Sequence, residues 1–208
     1  MSGLFIALEG ICGAGKTTQG TALRLWLAEL GYDTVDVRAA AEATPAGAHL
    51  RSLVASAEIA GALPPLARAL AVAADRAYMV DTIIRPALTR GAAVVADRYH
   101  LTNLVNQGML CGVGSVAVQM LETAANGGLL PDLTVVLDCP GRTALQRLSD
   151  PDYWEARGTA FLEEMREGYL DAVRACPTMS VMVVDASRSR GRVLQDIQTL
   201  VRPLLEVR

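Results

Sequence analysis

The sequence predicts an α/β fold built on a parallel sheet that helices cover on both faces. Three observations carry this. Residues 4–8 are apolar throughout and residues 133–137 are apolar but for Thr134, without the polar alternation of a half-exposed strand. Strand-like runs alternate with segments whose apolar residues recur at helical spacing, the pattern of successive βαβ units. The turn after the first run is rich in glycine and opens directly into a helical pattern.

In chain order, residues 4–8 form the first strand, ending at Glu9-Gly10. A helix follows over 16–30, with Leu23, Leu27 and Leu30 on one side and Gly31 placed to stop it. Residues 34–37 read as a second strand. The alanine-rich stretch 39–63 is ambiguous and is read as loop, then helix. Residues 66–90 keep helical spacing up to Gly91, with Pro86 as a kink or a restart. Strand 93–96 ends at Asp97-Arg98, and 115–125 is helical. Pro131-Asp132 leads into strand 133–137, and helices over 142–148 and 161–174 flank a polar loop. Residues 181–184 are the last strand and 191–205 the last helix. With no internal repeat or linker, residues 1–208 are expected to form one domain.

The 208 residues are 51% hydrophobic and 20% charged, enough for a full core and incompatible with a disordered tail protein. A net charge of −3 excludes the broad basic field of a nucleic-acid or anionic-membrane binder, so any bound anion needs a local constellation. Eighteen of the nineteen basic residues are arginine; the one lysine is Lys16. The four cysteines, Cys12, Cys111, Cys139 and Cys176, form no C-x-x-C pair and suggest neither a zinc site nor a disulfide framework. The N-terminus lacks the basic and apolar regions of a signal peptide, and no apolar run reaches the roughly 18 residues of a membrane span. A cytoplasmic protein with neither nucleic acid nor membrane as partner is expected.

Gly10-Ile11-Cys12-Gly13-Ala14-Gly15-Lys16-Thr17 fits G-x-x-x-x-G-K-[ST] in full, with a strand before it and a helix after. The glycines let backbone N–H groups wrap phosphate oxygens, and the helix N-terminus adds partial positive charge. Lys16 can reach the β- and γ-phosphates, and the Thr17 hydroxyl can ligate Mg²⁺. A GTPase reading needs an N-K-x-D motif, which a chain whose one lysine lies in this loop cannot contain.

Several further segments resemble thymidylate kinases, in family order over nearly the whole chain. They are Phe5-Ile6-Ala7-Leu8-Glu9-Gly10, Asp97-Arg98-Tyr99, and the stretch from Pro131-Asp132 to Leu137-Asp138. Phe161 through Arg166-Glu167-Gly168-Tyr169 and Asp185-Ala186-Ser187-Arg188 match as well, with Ala74-Asp75-Arg76 and Ile84-Arg85-Pro86-Ala87-Leu88 between them. The resemblance implies a P-loop NTPase three-layer fold with a parallel five-stranded sheet and a short lid over about 142–160. It also implies Mg-ATP as donor, a nucleotide as acceptor, and a homodimer. ATP would be held by the loop, including Gly10, Cys12, Gly13, Ala14, Gly15, Lys16, Thr17 and Thr18, with Arg142 and Ala186. Arg98 would clamp the acceptor phosphate, and Asp97 with Glu9 would hold Mg²⁺ beside Thr17 or orient the acceptor. The mobile arginine over the transferring phosphate would be Arg147 or, second, Arg157. The loop itself supplies none, and the family's Asp-Arg-x-Glu lid pattern reads Asp152-Tyr153-Trp154-Glu155 here.

Departures from the family cluster at the acceptor side. Cys12 replaces an acidic residue that contacts the sugar, and Ala39 to Pro45 replaces an Arg-Glu-Pro segment, with Arg38 one residue early. Val72 stands where a ring stacks on thymine, and Asn106 where an aromatic crowds the 2′ position. Arg76, Asn103 and Gln107 are kept; with Glu9 and Arg98 these residues define the expected acceptor pocket. Such a pocket is expected to bind dTMP poorly and to admit a ribo- or base-modified pyrimidine nucleotide. A dTMP kinase that tolerates these changes, a kinase of a nucleoside or other phosphorylated metabolite, and an ATP-binding protein without transfer remain open alternatives.

Overall fold

The computed structural model describes residues 3–38, 45–55, 62–148, 157–175 and 180–206. Five strands, β1 (Leu4–Glu9), β2 (Thr34–Val37), β3 (Ala93–Asp97), β4 (Leu133–Asp138) and β5 (Val181–Asp185), form an all-parallel sheet in the order β2-β3-β1-β4-β5. The expected five-stranded α/β architecture is therefore observed. β1 is central, pairing Leu8 with Asp97 of β3 and Glu9 with Val136 of β4. Its six residues are all buried because each pleat faces a different core. Leu4, Ile6 and Leu8 join one cluster with Leu23, Leu27 and Ile197, while Phe5 and Ala7 join the other with Val80 and Ile84. This two-sided burial explains why the strand reads as a continuous apolar run.

The helices are α1 (Lys16–Glu29), α2 (Pro45–Ala55), α3 (Pro65–Met79), α4 (Arg85–Thr89), α5 (His100–Asn103), α6 (Ser115–Asn126), α7 (Gly141–Gln146), α8 (Thr159–Ala175) and α9 (Arg190–Glu206). The predicted helix over 66–90 is α3 and α4 joined by a π-helical stretch, Val80–Ile84. The Arg85 N–H bonds the Val80 carbonyl, five residues back. Pro86 has no N–H to give and its ring displaces the carbonyl one turn earlier, and a widened turn absorbs both.

One element is absent from the sequence reading. Residues after Asp97-Arg98 continue as α5 and then as a π-helical segment, Leu104–Leu110. Its N-terminus is satisfied from another strand: Glu9 Oε1 accepts the Tyr99 N–H at 2.8 Å and the Thr102 N–H at 3.3 Å. The predicted lid falls partly outside the described residues, as do residues 39–44 and 56–61 of the ambiguous 39–63 stretch.

Candidate active site

The loop between β1 and α1 occupies the carboxyl edge of the sheet, at its centre. Gly13 has φ +75°, and a Cβ there would collide with the Ala144 carbonyl, so only glycine lets the loop lie this close to α7. Gly15 is left-handed at φ 97° and turns the chain into α1. A cleft of about 440 Å³ opens over the loop, lined by Gly13, Ala14, Gly15, Lys16, Thr17 and Thr18 and by Arg147 and Ala186 from farther along the chain. Of the other residues expected at the donor, Gly10 and Cys12 lie on the loop's opposite side and Arg142 is exposed on α7; none of the three lines this cleft. Gln19, Arg188, Ser189 and Arg190 line it as well. Arg188 belongs to the late Asp-Ala-Ser-Arg segment, so only the others lacked a signal.

Lys16 is buried at 6% exposure and its Nζ donates to the Ile11 carbonyl at 2.7 Å. Burial, reinforced by the nearby Arg98 guanidinium, lowers its pKa to about 8. Thr17 Oγ1 donates to Asp97 Oδ2 at 2.5 Å, so two of the three expected metal residues meet, Thr17 lining the cleft. Glu9 does not join them. It is fully buried; besides the two N–H groups at Oε1, its Oε2 accepts from Thr102 Oγ1 at 2.5 Å. Its carboxylate caps α5, and of the two carboxylates it is Asp97 that meets Thr17.

Arg98 follows β3 with φ +77°, the sole non-glycine residue in that region among those described. Such strain persists where the surroundings over-determine the conformation, and here they do. The Arg98 N–H bonds the Leu8 carbonyl at 2.9 Å. Nη1 donates to the Gly10 carbonyl at 3.1 Å and to the Tyr169 hydroxyl at 3.0 Å, and Nη2 donates to Cys12 Sγ at 2.9 Å.

Beyond Arg98 lies a second, smaller pocket of about 180 Å³ between α3 and α5. Along α3, Arg68, Val72, Asp75, Arg76 and Met79 line one wall at helical spacing. Thr102, Asn103, Asn106 and Gln107 line the other, with Arg38 at the rim after β2. Seven of the nine expected acceptor residues thus border one space; Glu9 and Cys12 lie behind Arg98. Arg68 and Thr102 escaped sequence reading because nothing marks them apart from a surface charge or a helical polar residue; Asp75 stands in the family-like Ala74-Asp75-Arg76 segment but carried no assigned role.

The pocket wall is itself tied down. Arg76 and Glu122 of α6 are both buried and pair at 3.6 Å, and Asn103 Nδ2 donates to Glu122 Oε1 at 2.5 Å. Burial raises the Glu122 pKa, against the pull of Arg76. The Arg76 guanidinium also lies 4.3 Å from the centroid of the Tyr99 ring. Oδ1 of Asn106, Oε1 of Gln107 and Nη1 of Arg76 are buried without hydrogen-bond partners. Buried polar atoms are normally satisfied, so this cluster marks a place made for a polar ligand.

The lid arginines are divided. Arg147 Nη1 donates to the Ala186 carbonyl at 3.0 Å, which sets it at the far wall of the donor cleft. Arg157 lies over the Phe161 ring, 3.7 Å from its centroid, at the start of α8. Neither stands between the two clefts here. Asp152, Tyr153, Trp154 and Glu155 lie outside the described residues.

Comparison with known proteins agrees with this geometry. The profile of the thymidylate kinase family matches residues 8–197. The chain is 38% identical to a thymidylate kinase of Clavibacter michiganensis over 209 aligned positions, covering 99% of this chain and 97% of that protein. It is 36% identical to one from Deinococcus radiodurans, with 96% of each chain covered, and 37% identical to one from Desulforudis audaxviator, with 100% and 94% covered. A match of this extent, on a loop, an Asp-Arg pair and a facing pocket in the expected places, shows that the chain belongs to the thymidylate kinase family and is a phosphotransferase of the nucleoside monophosphate kinase kind.

Proposed function

We propose that the chain transfers the γ-phosphoryl group of Mg-ATP to a pyrimidine nucleoside monophosphate seated between α3 and α5. The observation that supports this is the junction of the two clefts. Arg98 lines the small pocket while bonding Gly10 and Cys12 of the loop, and Lys16 and Thr17 of the same loop line the large cleft. A donor phosphate on the loop and an acceptor phosphate on Arg98 are then neighbours. Phosphoryl transfer needs mainly positioning and charge neutralisation.

The Thr17 hydroxyl and the Asp97 carboxylate, 2.5 Å apart, suit Mg²⁺, which takes one or two protein oxygens and completes its shell with water and phosphate. When bound, the ion neutralises charge on the donor phosphates. Lys16 takes charge from the β- and γ-oxygens, and Arg98 orients the acceptor phosphate. We assign residues 1–208 to one domain and place the chain in the cytoplasm as a homodimer; no described helix is long and apolar enough to cross a membrane.

The acceptor is read as shifted away from dTMP. No aromatic side chain lines the small pocket among the described residues, and Val72 and Asn106 occupy the two ring positions. A lost stacking ring costs on the order of 1–3 kcal/mol per base. The unpartnered Asn106 Oδ1 offers an acceptor for a sugar hydroxyl. ADP release measured with dTMP, dUMP, UMP, CMP and base-modified forms tests this. A ribo- or modified nucleotide is expected to exceed dTMP in kcat/KM by about tenfold or more, the weight of one such contact. Efficient turnover of dTMP alone overturns the shift while keeping the kinase; ADP release indifferent to every acceptor overturns the kinase.

A further inference from the structure

We propose that Cys12 is a positioning residue for the transfer reaction, acting through Arg98. This rests on the acceptor-phosphate role given to Arg98 above.

Arg98 carries five N–H donors in a rigid plane. Its Nη1 corner is engaged from several sides, by the Gly10 carbonyl at 3.1 Å, the Tyr169 hydroxyl at 3.0 Å and Thr102 Oγ1 at 3.4 Å. These contacts hold one corner of the guanidinium. Cys12 Sγ supplies the second fixed point, accepting from Nη2 at 2.9 Å. With both ends held, the plane is set. No described residue hydrogen-bonds Nε, so Nε and the second Nη2 hydrogen are left as a fork, the arrangement that receives a phosphate on two parallel bonds.

The anchors are well built for such a task. Tyr169 is buried, and burial holds its phenol above the ordinary range, so it stays a neutral hydroxyl. It passes the restraint on to Thr102 Oγ1, 2.8 Å away, which is tied to Glu9. Cys12 differs from these: it is half-buried and lies on the glycine-rich loop. It joins the donor loop to the acceptor arginine through one side-chain contact.

The test compares Cys12→Ala, which removes the acceptor atom, with Cys12→Ser, which restores one. In Cys12→Ala the KM for the best nucleotide acceptor is expected to rise about tenfold, in keeping with one charge-assisted hydrogen bond, while the KM for ATP moves less than twofold. Cys12→Ser recovers most of the loss. A second readout needs no turnover: the Nε–Hε cross-peak of Arg98 in ¹H–¹⁵N spectra, identified by its disappearance in Arg98→Lys. It is expected to shift in Cys12→Ala and return towards the wild-type position in Cys12→Ser. An unmoved cross-peak, or KM values for both substrates changing together, overturns the role of Cys12. Absence of acceptor turnover in the wild-type chain overturns the proposed function instead, and the spectrum still decides for or against Cys12.

Discussion

Lys16 and Arg98 stand on either side of one loop, and their difference in chemistry accounts for their placement. A lysine offers a compact charge on a flexible stem, suited to a slot too narrow for a guanidinium. Lys16 fills such a slot, almost fully buried and bonded to the Ile11 carbonyl. Lys16→Arg keeps the charge and is expected to lower kcat by about a hundredfold or more, the scale of losing one preorganised charge contact, while thermal unfolding shows the fold intact. Near-normal turnover would refute the role of Lys16. A second consequence follows from its pKa of about 8 in the free protein, set by burial and then by Arg98. Near and above that pH a share of the free protein carries a neutral amine, and a bound triphosphate favours the ammonium. ATP binding should therefore take up protons there, and affinity should fall as pH rises further. Titration calorimetry in two buffers of different ionisation enthalpy measures the uptake; zero uptake or net release contradicts it.

At the scale of elements, α3 and α5 form the acceptor pocket and α6 braces both. The brace is Glu122, which answers the buried Arg76 from α3 and Asn103 from α5. Removing one member of a buried pair leaves its partner charged and unsolvated, a penalty of about 3–5 kcal/mol. Glu122→Ala should therefore depress the unfolding temperature, with Glu122→Gln, which retains the Asn103 contact, falling between. Equal stability of wild type and Glu122→Ala would show that the pair is not structural. None of this was visible in sequence, because Arg76, Asn103 and Glu122 are scattered along the chain and nothing local pairs them. The helix starting at His100 was missed for a related reason. Its N-terminus is capped by Glu9, some ninety positions earlier, so no local cap announces it. By contrast, α1 was legible because Gly15 opens it and Gly31 follows it closely.

For the molecule as a whole, the order β2-β3-β1-β4-β5 puts the loop after β1 beside the ends of β3 and β4. Asp97 and Arg98, at the end of β3, thereby reach the loop although a long stretch of chain separates β3 from β1. The outer surface carries a second message. Leu66 and Leu70 on α3 are 55% and 50% exposed, and Val116 and Met120 on α6 are 77% and 70% exposed, each pair one helical turn apart. With α3 packed on α6, these form apolar ridges of a kind that self-association would cover. Light scattering is expected to give about twice the 22.0 kDa of one chain, and monomeric mass at micromolar concentration would exclude the homodimer.

The sequence by itself determined the parallel α/β class, the five strands and the phosphate loop. Those features are written in contiguous residues: unbroken apolar runs, and glycines spaced around one lysine. The family resemblance extended this to the acceptor side as separate residues with roles attached. Only the tertiary structure decided which of them share a space. It set Glu9 to capping α5, drew Arg147 to the far wall of the donor cleft, and brought Arg68, Asp75 and Thr102 into the pocket. It also joined Cys12 to Arg98 across the loop. These are contacts between residues distant in sequence, fixed by strand order and helix packing, and no local pattern encodes them.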